Sequence, residues 1–309
     1  MRDNAVFTSR TLPWLLLLPS FVILLVFIYY PTIQAWVLSL HRSNLFLGTR
    51  QFVGFENFRL MFTGPLADKY IQVVIQTFFY GFLVVGLGLS MSVVLATLAS
   101  QPIRGARVYR LLLIWPFALS PAVAGTIFLF MFNPDVGAVN EVLGSLFGVR
   151  PRWLDTPTLA FGLVVAASVW KNLGYNIVFY LAALQNIPKE LNEAAAIDGA
   201  SPAQRFFRIT VPLLSPMTFF LLFTNLTFAF FESYGLIDIV TKGGPVGPAP
   251  VDGAGITTTM IYQVTIDGFG GSGNTGLAAA LGNVILFFTA IITILQFRYG
   301  GRRVQYGDN

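Results

Sequence analysis

Residues 193–212 read EAAAIDGASPAQRFFRITVP and form a polar stretch between two long apolar segments of the chain. The pattern of this stretch and the residues just before it predicts two short helices. The first begins near Pro188, contains the small alanines at 194–196 and ends at Gly199, because glycine readily adopts the left-handed conformation that ends many helices. We therefore expect a folded element here and not a plain connector.

The second predicted helix has a complete start signal. Ser201 is placed as N-cap, Pro202 is the first helical residue, and Gln204 stands three residues after the cap, which forms a capping box. Small residues let another backbone approach closely, while Glu193 and Arg205 supply charged contacts. The two helices are therefore predicted to form a hairpin that docks into another protein.

The composition indicates an integral membrane protein. Of the 309 residues, 55% are hydrophobic and 11% are charged, whereas soluble chains carry about 25% charged residues. Cysteine is absent, which excludes disulfides and thiolate metal sites, and the single histidine, His41, excludes sites that need two imidazoles. The net charge of +5 belongs to loops between apolar segments, so we do not interpret it as a sign of nucleic-acid binding.

Six segments are long and apolar enough to cross a bilayer, which takes roughly twenty residues of helix. They cover residues 14–40, 71–98, 111–132, 158–184, 212–231 and 276–297. The first is too long for a signal peptide and five more follow it, so we expect a retained helix that Pro19 and Pro31 bend or delimit. The predicted fold is all-α, with six transmembrane helices in one domain over residues 1–309.

The distribution of lysine and arginine predicts the orientation of the chain in the membrane. Eleven of these residues lie in the shorter set of connections: Arg2, Arg10, Arg104, Arg107, Arg110, Lys189, Arg205, Arg208, Arg298, Arg302 and Arg303. Seven lie in the longer set: Arg42, Arg50, Arg59, Lys69, Arg150, Arg152 and Lys242. Both termini and the hairpin after Pro188 are therefore expected to be cytoplasmic.

Three longer segments are then expected on the outer side. Residues 41–70 carry aromatic and charged side chains and are predicted to pack as a lid, and residues 133–157 contain a possible short helix near 138–146. Residues 236–274 are rich in glycine and proline and are predicted to be a loop with several turns. Whether that loop contacts an outer partner or only connects two spans stays open.

Lys171 is the most unusual residue within the predicted spans. It lies near the middle of the fourth span, where a lysine costs on the order of 2.5–3.5 kcal/mol, and it has the polar neighbours Asn172 and Tyr175. One interpretation is that Lys171 lines a hydrated pathway and attracts an anionic solute. The other is a structural pair with Glu232 or with backbone carbonyls.

Three further residues are candidates for the same pathway. Glu232 and Tyr234 lie near the outer end of the fifth span, where Glu232 is either a solute contact or a partly hydrated interfacial carboxylate. Asn225 lies in the middle of that span and either contacts solute or bonds a neighbouring helix, the second being favoured.

The hairpin resembles the EAA loop of permease subunits in bacterial ABC importers. The matching residues are Glu193, Ala194, Ala195, Gly199, Ile209 and Pro212, while Val211 replaces the usual leucine. The resemblance implies a type I permease fold and a coupling loop, here residues 186–211, that fits a cleft on a cytoplasmic ATPase. It places Asp198, Ser201 and Arg205 on the same docking surface.

The resemblance extends over most of the chain and is greatest to A-type permeases of glycerol-3-phosphate importers, within the maltose-type carbohydrate family. It rests on SVWKNLGYNIVFYLAALQNIPKELNEAAAIDGA (residues 168–200), SPAVA (120–124), FNP (132–134), GGP (243–245) and QFRY (296–299). It implies a complex in a bacterial or archaeal cytoplasmic membrane with a second permease, two ATPase subunits and an extracytoplasmic solute-binding protein. Sugar permeases share these spans, so the solute remains open between phosphate esters and sugars.

The chain shows no nucleotide site and no enzyme site of its own. It lacks the G-x-x-x-x-G-K-[ST] loop that cradles phosphates, so ATP and Mg²⁺ are expected on the partner ATPase subunits and no cofactor on this chain. An ion-coupled secondary transporter is an alternative, but the spans offer few carboxylates. A membrane enzyme is excluded because no nucleophile–base set or group of metal ligands lies in the spans.

Overall fold

The computed structural model describes residues 11–101, 104–245, 255–270 and 272–300. Four arginines used for the orientation prediction lie outside these residues: Arg2, Arg10, Arg302 and Arg303. The helices, numbered in chain order, are α1 Leu12–Leu24, α2 Tyr30–Ser39, α3 Glu56–Phe62, α4 Ala67–Ala99, α5 Ala106–Ile114, α6 Pro121–Met131, α7 Ala138–Phe147, α8 Pro157–Leu184, α9 Lys189–Ile197, α10 Pro202–Arg205, α11 Val211–Leu213, α12 Ser215–Phe231, α13 Tyr234–Val240, α14 Met260–Phe269 and α15 Thr275–Leu295.

Within the described ranges, three helices are long and apolar enough to span a membrane unbroken: Leu12–Ser39, Ala67–Ala99 and Thr275–Arg298. Two further predicted spans are bent pairs, Ala106–Ala118 with Pro121–Met131 at 105° and Pro202–Leu213 with Ser215–Phe231 at 68°. Counting each pair as one span gives up to five. The remaining predicted span is α8, whose central Lys171 and Asn172 lower its hydropathy. The predicted number of six stays a prediction.

Prolines lie near two of the places where helices deviate from regular α-helical geometry. A π-helical turn, Leu25–Tyr29, joins α1 and α2 immediately before Pro31, while Pro19 lies inside α1 without ending it. The first predicted span is therefore continuous. The 105° bend lies between α5 and α6, where Leu119 and Ser120 are extended. Ser120 is extended because the residue immediately before a proline avoids the helical region.

The contacts divide the chain into two compact units. The first comprises residues 1–60 and 264–284 and contains a feature that the all-helical prediction missed, an antiparallel hairpin of β1 His41–Asn44 and β2 Thr49–Phe52. The side chain of Asn44 accepts hydrogen bonds from the backbone amides of Phe46 and Leu47, both at 3.0 Å, which makes the turn. The Ser43 hydroxyl lies 2.6 Å from that of Thr275.

The second unit comprises residues 61–263 and 285–309, and its core is α4 packed along α8. The Tyr80 hydroxyl on α4 lies 2.7 Å from the Ser168 hydroxyl on α8. Gly174 brings α8 against the backbone of Ile114, where a side-chain carbon would collide with the Ile114 carbonyl. Close packing in this unit thus depends on small residues, as is common between membrane helices.

Two predictions about the segments between spans have different outcomes. The short helix near 138–146 is confirmed as α7. The prediction of an irregular loop over 236–274 is wrong for two parts of it, because α13 and α14 are helical and bury Leu236, Ile237 and Met260. The predicted glycine and proline turns at 246–254 and at 271 lie outside the described residues.

Candidate functional site

The hairpin after Pro188 has the predicted local structure. Helix α9 ends at Ile197, and Gly199 follows with φ +81°. The amide of Ala200 donates to the Ala195 carbonyl at 2.9 Å and that of Gly199 to the Ala196 carbonyl at 3.1 Å. These two bonds form a Schellman motif, which satisfies carbonyls that the helix end would otherwise leave free.

The start of α10 forms the predicted capping box. The backbone amide of Gln204 donates to the Ser201 hydroxyl at 3.3 Å. The backbone amide of Ser201 donates to the side-chain oxygen of Gln204 at 2.8 Å. The Arg205 guanidinium donates to the Asn192 carbonyl of α9 at 3.4 Å. Local bonds at both helix ends, with one bond between the helices, therefore define the shape of the hairpin.

The predicted docking residues form an exposed surface. Glu193, Ala194, Asp198, Gly199 and Ser201 are exposed, and Ala195 and Arg205 are partly exposed. Two exposed apolar side chains, one between the helices' predicted docking residues and one just after α10, were not singled out by the sequence interpretation. Ile197 is 86% exposed and Phe207 is 68% exposed. Large apolar side chains on a polar surface are typical of sites that contact another protein.

An open groove of about 960 Å³ lies beside this hairpin. The ends of α4 and α8 form one wall, through residues such as Leu98 and Leu184, and α9 and α10 form the other. The charged residues Arg110, Lys189, Glu193 and Arg205 line it. The groove thus separates part of the hairpin from the ends of the long helices.

A second, much smaller cavity lies within the helix packing. Its volume of about 20 Å³ suffices for one or two water molecules. The predicted pathway residues Lys171, Asn172 and Glu232 all line it. The other lining residues are Tyr80, Pro121, Ser168, Phe228, Ser233 and Leu236.

Lys171 is nearly enclosed within this packing. It is 7% exposed, and its Nζ lies 5.4 Å from the centre of the Phe117 ring, within the range of a cation–π contact. No hydrogen bond or ion pair of Lys171 occurs among the residues that the structure describes. Glu232 is exposed at the end of α12 and shares the cavity without forming a close ion pair.

The remaining pathway candidates lie outside the cavity lining. Asn225 is buried and its side chain exchanges hydrogen bonds of 2.6 and 3.1 Å with that of Asn176 on α8. This geometry is that of a helix–helix contact. Tyr175 is partly buried among aromatic rings, with ring centres 5.2 Å from those of Phe117 and Phe228. The predicted set is thus divided between the cavity and its surroundings.

Tyr234 stacks on Tyr262 with ring centres 5.6 Å apart. Burial and the nearby charge of Asp238 raise the pKa of Tyr262 to about 12. Tyr262 therefore stays protonated at physiological pH, and the Tyr234 stack contains no charged ring partner.

Sequence reasoning missed the residues that meet Lys171 and Asn225 from elsewhere in the chain. Phe117 meets Lys171, and Asn176 meets Asn225. Tyr80 likewise meets Ser168 of α8 across 88 positions of the chain. No spacing or local motif links such residues. Pro121, in the SPAVA run, carried the one available signal, since a proline that interrupts a span often marks a site.

The chain is similar to known membrane transport proteins. Residues 88–304 match the family described as "Binding-protein-dependent transport system inner membrane component". The sn-glycerol-3-phosphate transport system permease protein UgpA of Pectobacterium atrosepticum is 42% identical over 305 residues, covering 98% of this chain and 99% of the relative. The protein of the same name from Yersinia enterocolitica is 40% identical over 300 residues, covering 97% of each.

Solved structures show the same fold. A chain of the bacterial alginate ABC transporter in complex with its alginate pentasaccharide-bound periplasmic protein matches with a TM-score of 0.79 at 22% identity, covering 96% of both chains. Another structure of a bacterial ABC transporter for alginate import gives 0.78 at 21%, covering 95% of this chain and 96% of the other. The fold is therefore the helical membrane fold of ABC importer permeases. The chain is a transport component that passes through the membrane several times. The chain belongs to the family of inner membrane components of binding-protein-dependent transport systems.

Proposed function

We propose that this chain is a permease subunit of an ATP-driven importer for sn-glycerol-3-phosphate or related glycerophosphodiesters. The observation that carries the proposal is the 42% identity with a glycerol-3-phosphate permease over 98% of this chain. Lys171 is buried and has no hydrogen bond or ion pair among the described residues, which agrees with an anionic solute, because a buried cation in a membrane protein is expected to meet a negative partner.

In this proposal the chain forms one permease domain with six spans. They are the unbroken helices Leu12–Ser39, Ala67–Ala99 and Thr275–Arg298, the bent pair Ala106–Ala118 with Pro121–Met131, α8 and α12. Both termini and the coupling loop, residues 186–211, face the cytoplasm. The excess of lysine and arginine in the short connections supports this orientation.

In this proposal the hairpin couples the permease to the ATPase subunits. Two separate ATPase subunits bind ATP and Mg²⁺, and one of them receives the surface formed by Glu193, Ala194, Ala195, Asp198, Gly199, Ser201 and Arg205. The hydrogen-bonded ends of α9 and α10 make this hairpin rigid, so it moves as one unit. A π-helical turn, Phe206–Thr210, and then α11 join it to α12, so a displacement of the hairpin moves a helix that lines the cavity.

A second permease completes the pathway, and an extracytoplasmic binding protein delivers the solute. The residues proposed to line the pathway on this chain are Lys171, Asn172, Tyr175, Asn225, Glu232 and Tyr234. The small cavity then represents a closed stage, and alternating access opens it as the packed helices switch between arrangements.

The test is uptake by the assembled complex in liposomes. The permease pair, the ATPase and the binding protein are reconstituted, and ATP-dependent uptake is measured for glycerol-3-phosphate, a glycerophosphodiester, maltose and trehalose. We expect uptake of the phosphate esters only. Uptake of a disaccharide instead would show a sugar permease, and ion-driven uptake by this chain without an ATPase would show a secondary transporter.

A further inference from the structure

The groove of about 960 Å³ beside the hairpin contains positive charge that no neighbouring side chain neutralises. Arg110, Lys189 and Arg205 line it, and Glu193 is the acidic residue among the described lining. None of these four side chains forms an ion pair with another residue that the structure describes. Three cations thus share an open space with one carboxylate, so the groove favours a ligand with negative charge.

The two arginines of the groove are held in place and keep N–H groups without acceptors among the described residues. Arg110 on α5 donates through Nε to the Ala99 carbonyl at the end of α4, at 3.0 Å. Arg205 donates through Nη1 to the Asn192 carbonyl at 3.4 Å, while its own Nε is buried and lacks an acceptor. A guanidinium carries five N–H donors, and a buried donor without an acceptor is unfavourable. An anion in the groove supplies acceptors for these donors.

An apolar stripe of α4 leads into the same groove. The stripe consists of Leu87, Met91, Val94 and Leu98, which are all exposed and whose spacing places them on one face of the helix. Val94 and Leu98 also line the groove. Because α4 is long and apolar enough to span a membrane, the stripe continues from the groove along a membrane helix. Such a surface fits an acyl chain, which a soluble phosphate compound lacks.

We propose that the groove binds a phospholipid with an anionic headgroup from the cytoplasmic leaflet. The phosphate lies among Arg110, Lys189 and Arg205, and one acyl chain follows the α4 stripe. The inference rests on the proposed function, which places the hairpin at the cytoplasmic side. Basic residues beside a membrane span attract anionic headgroups. The groove volume of about 960 Å³ also lies in the range of small-ligand sites, about 300–1,000 Å³.

The bound phosphate connects the two walls of the groove. Arg110 is hydrogen-bonded to the end of α4, whereas Lys189 and Arg205 belong to the hairpin. Glu193 lowers the affinity, because its carboxylate lines the same groove and repels the phosphate. The lipid therefore links the hairpin to the long helices with an affinity that the carboxylate reduces.

The experiment uses the whole complex in phosphatidylcholine nanodiscs that contain a small fraction of phosphatidylglycerol with a photoreactive acyl chain. After illumination, mass spectrometry measures how much lipid is attached to the peptide that contains residues 94–98. Unlabelled phosphatidylglycerol, unlabelled phosphatidylcholine and glycerophosphoglycerol, which is the headgroup without acyl chains, are added as competitors. These competitors separate a lipid from a soluble phosphate diester.

The variants are Lys189→Gln, Lys189→Arg and Glu193→Gln, with Arg208→Gln as the matched control. Lys189 is exposed and has no hydrogen bond among the described residues, so its replacement should not change the thermal stability of the complex. Arg208 is an exposed cation in the π-helical turn after α10 and does not line the groove. The control therefore removes the same charge from the same region of the chain.

We expect unlabelled phosphatidylglycerol to suppress the attachment, and phosphatidylcholine and glycerophosphoglycerol to leave it unchanged. Lys189→Gln should lower the attachment about fivefold, the scale on which one basic residue contributes near an anionic membrane surface. Lys189→Arg and Arg208→Gln should stay near wild type, because the charge in the groove is retained. Glu193→Gln should raise the attachment, since the repelling carboxylate is gone.

Equal competition by phosphatidylcholine would overturn the proposal, because the groove would not select an anion. Displacement by glycerophosphoglycerol would overturn the lipid in favour of a soluble anion, and equal losses in Lys189→Gln and Arg208→Gln would reduce the effect to general surface charge. Lipid attached to other subunits but not to residues 94–98 would show that a subunit covers the groove. A wild-type complex that imports a disaccharide but no glycerol-3-phosphate would instead refute the proposed function and leave the lipid site standing.

Discussion

Asn176 and Asn225 join α8 to α12 through two side-chain hydrogen bonds, of 3.1 and 2.6 Å. Both residues are almost completely buried, and Asn225 also donates to the Leu221 carbonyl at 2.8 Å. Each amide satisfies the other within the buried contact between the two helices. The pair therefore connects the helix that carries Lys171 with the helix that follows the hairpin at 189–205.

Asn225→Leu is expected to destabilise the protein by about 0.6–2 kcal/mol, because Asn176 loses its partner in an apolar environment. The double variant Asn176→Leu with Asn225→Leu should recover part of that loss, since no unpaired amide remains. Thermal unfolding in detergent measures both. Thr227→Val, which removes a hydroxyl bonded only within its own helix, is the control. Additive losses in the double variant would contradict the coupling.

Gly174→Ala is expected to weaken the packing of α8 against the end of α5. A side-chain carbon at Gly174 would collide with backbone atoms of Ile114, including the carbonyl oxygen, and backbone cannot turn away as a side chain can. We expect a loss of about 1–3 kcal/mol. Gly162→Ala, in the same helix and with open space around it, should be neutral or slightly stabilising. Equal unfolding temperatures for the two variants would disprove the close approach.

Gly199→Asp is expected to uncouple ATP hydrolysis from uptake. Gly199 has φ +81°, a conformation that residues other than glycine disfavour, and the new carboxylate would lie on the proposed docking surface. Gly148→Asp is the matched control, because Gly148 also ends a helix with φ +67° and open space but lies far along the chain from the hairpin. Coupled uptake retained in Gly199→Asp would count against docking through the hairpin.

Ile197→Glu is expected to weaken retention of the ATPase by about tenfold or more, as truncating a central apolar contact in an interface does. The side chain is 86% exposed, so the stability of the permease itself should not change. Val136→Glu, at 82% exposure, is the control in the segment between α6 and α7. Co-purification of the ATPase at increasing salt measures the difference. Equal retention for the two variants would show that Ile197 makes no contact.

Much of the local structure was predictable because its causes are close together in the chain. The end of α9 at Gly199 and the capping box of Ser201 and Gln204 each depend on a few consecutive residues. The β-hairpin after α2 was missed because its turn depends on the single side chain of Asn44, whose neighbours are apolar and read as part of a lid. Helices α13 and α14 were missed because glycine and proline dominate the composition around them.

The candidate site was predictable only in part. Sequence alone selected Lys171 and Glu232 because charge within an apolar segment is costly. It did not show that these two share a cavity, or that Asn225 is paired with Asn176, because residues far apart meet only through packing. The polar residues in the middle of α8 and the bends at Ser120 and Leu214 also left the number of spans open.

The sequence by itself determined that the chain is a helical membrane protein, where its apolar segments lie and how the hairpin at 189–205 folds. Composition, proline and glycine positions and helix caps act locally, so they can be recognised without knowing any distant contact. Only the tertiary structure decided which helices meet and which polar groups they enclose. The long helices here are apolar, so an apolar side chain does not reveal whether it faces lipid or protein, and that choice depends on how closely the backbones approach.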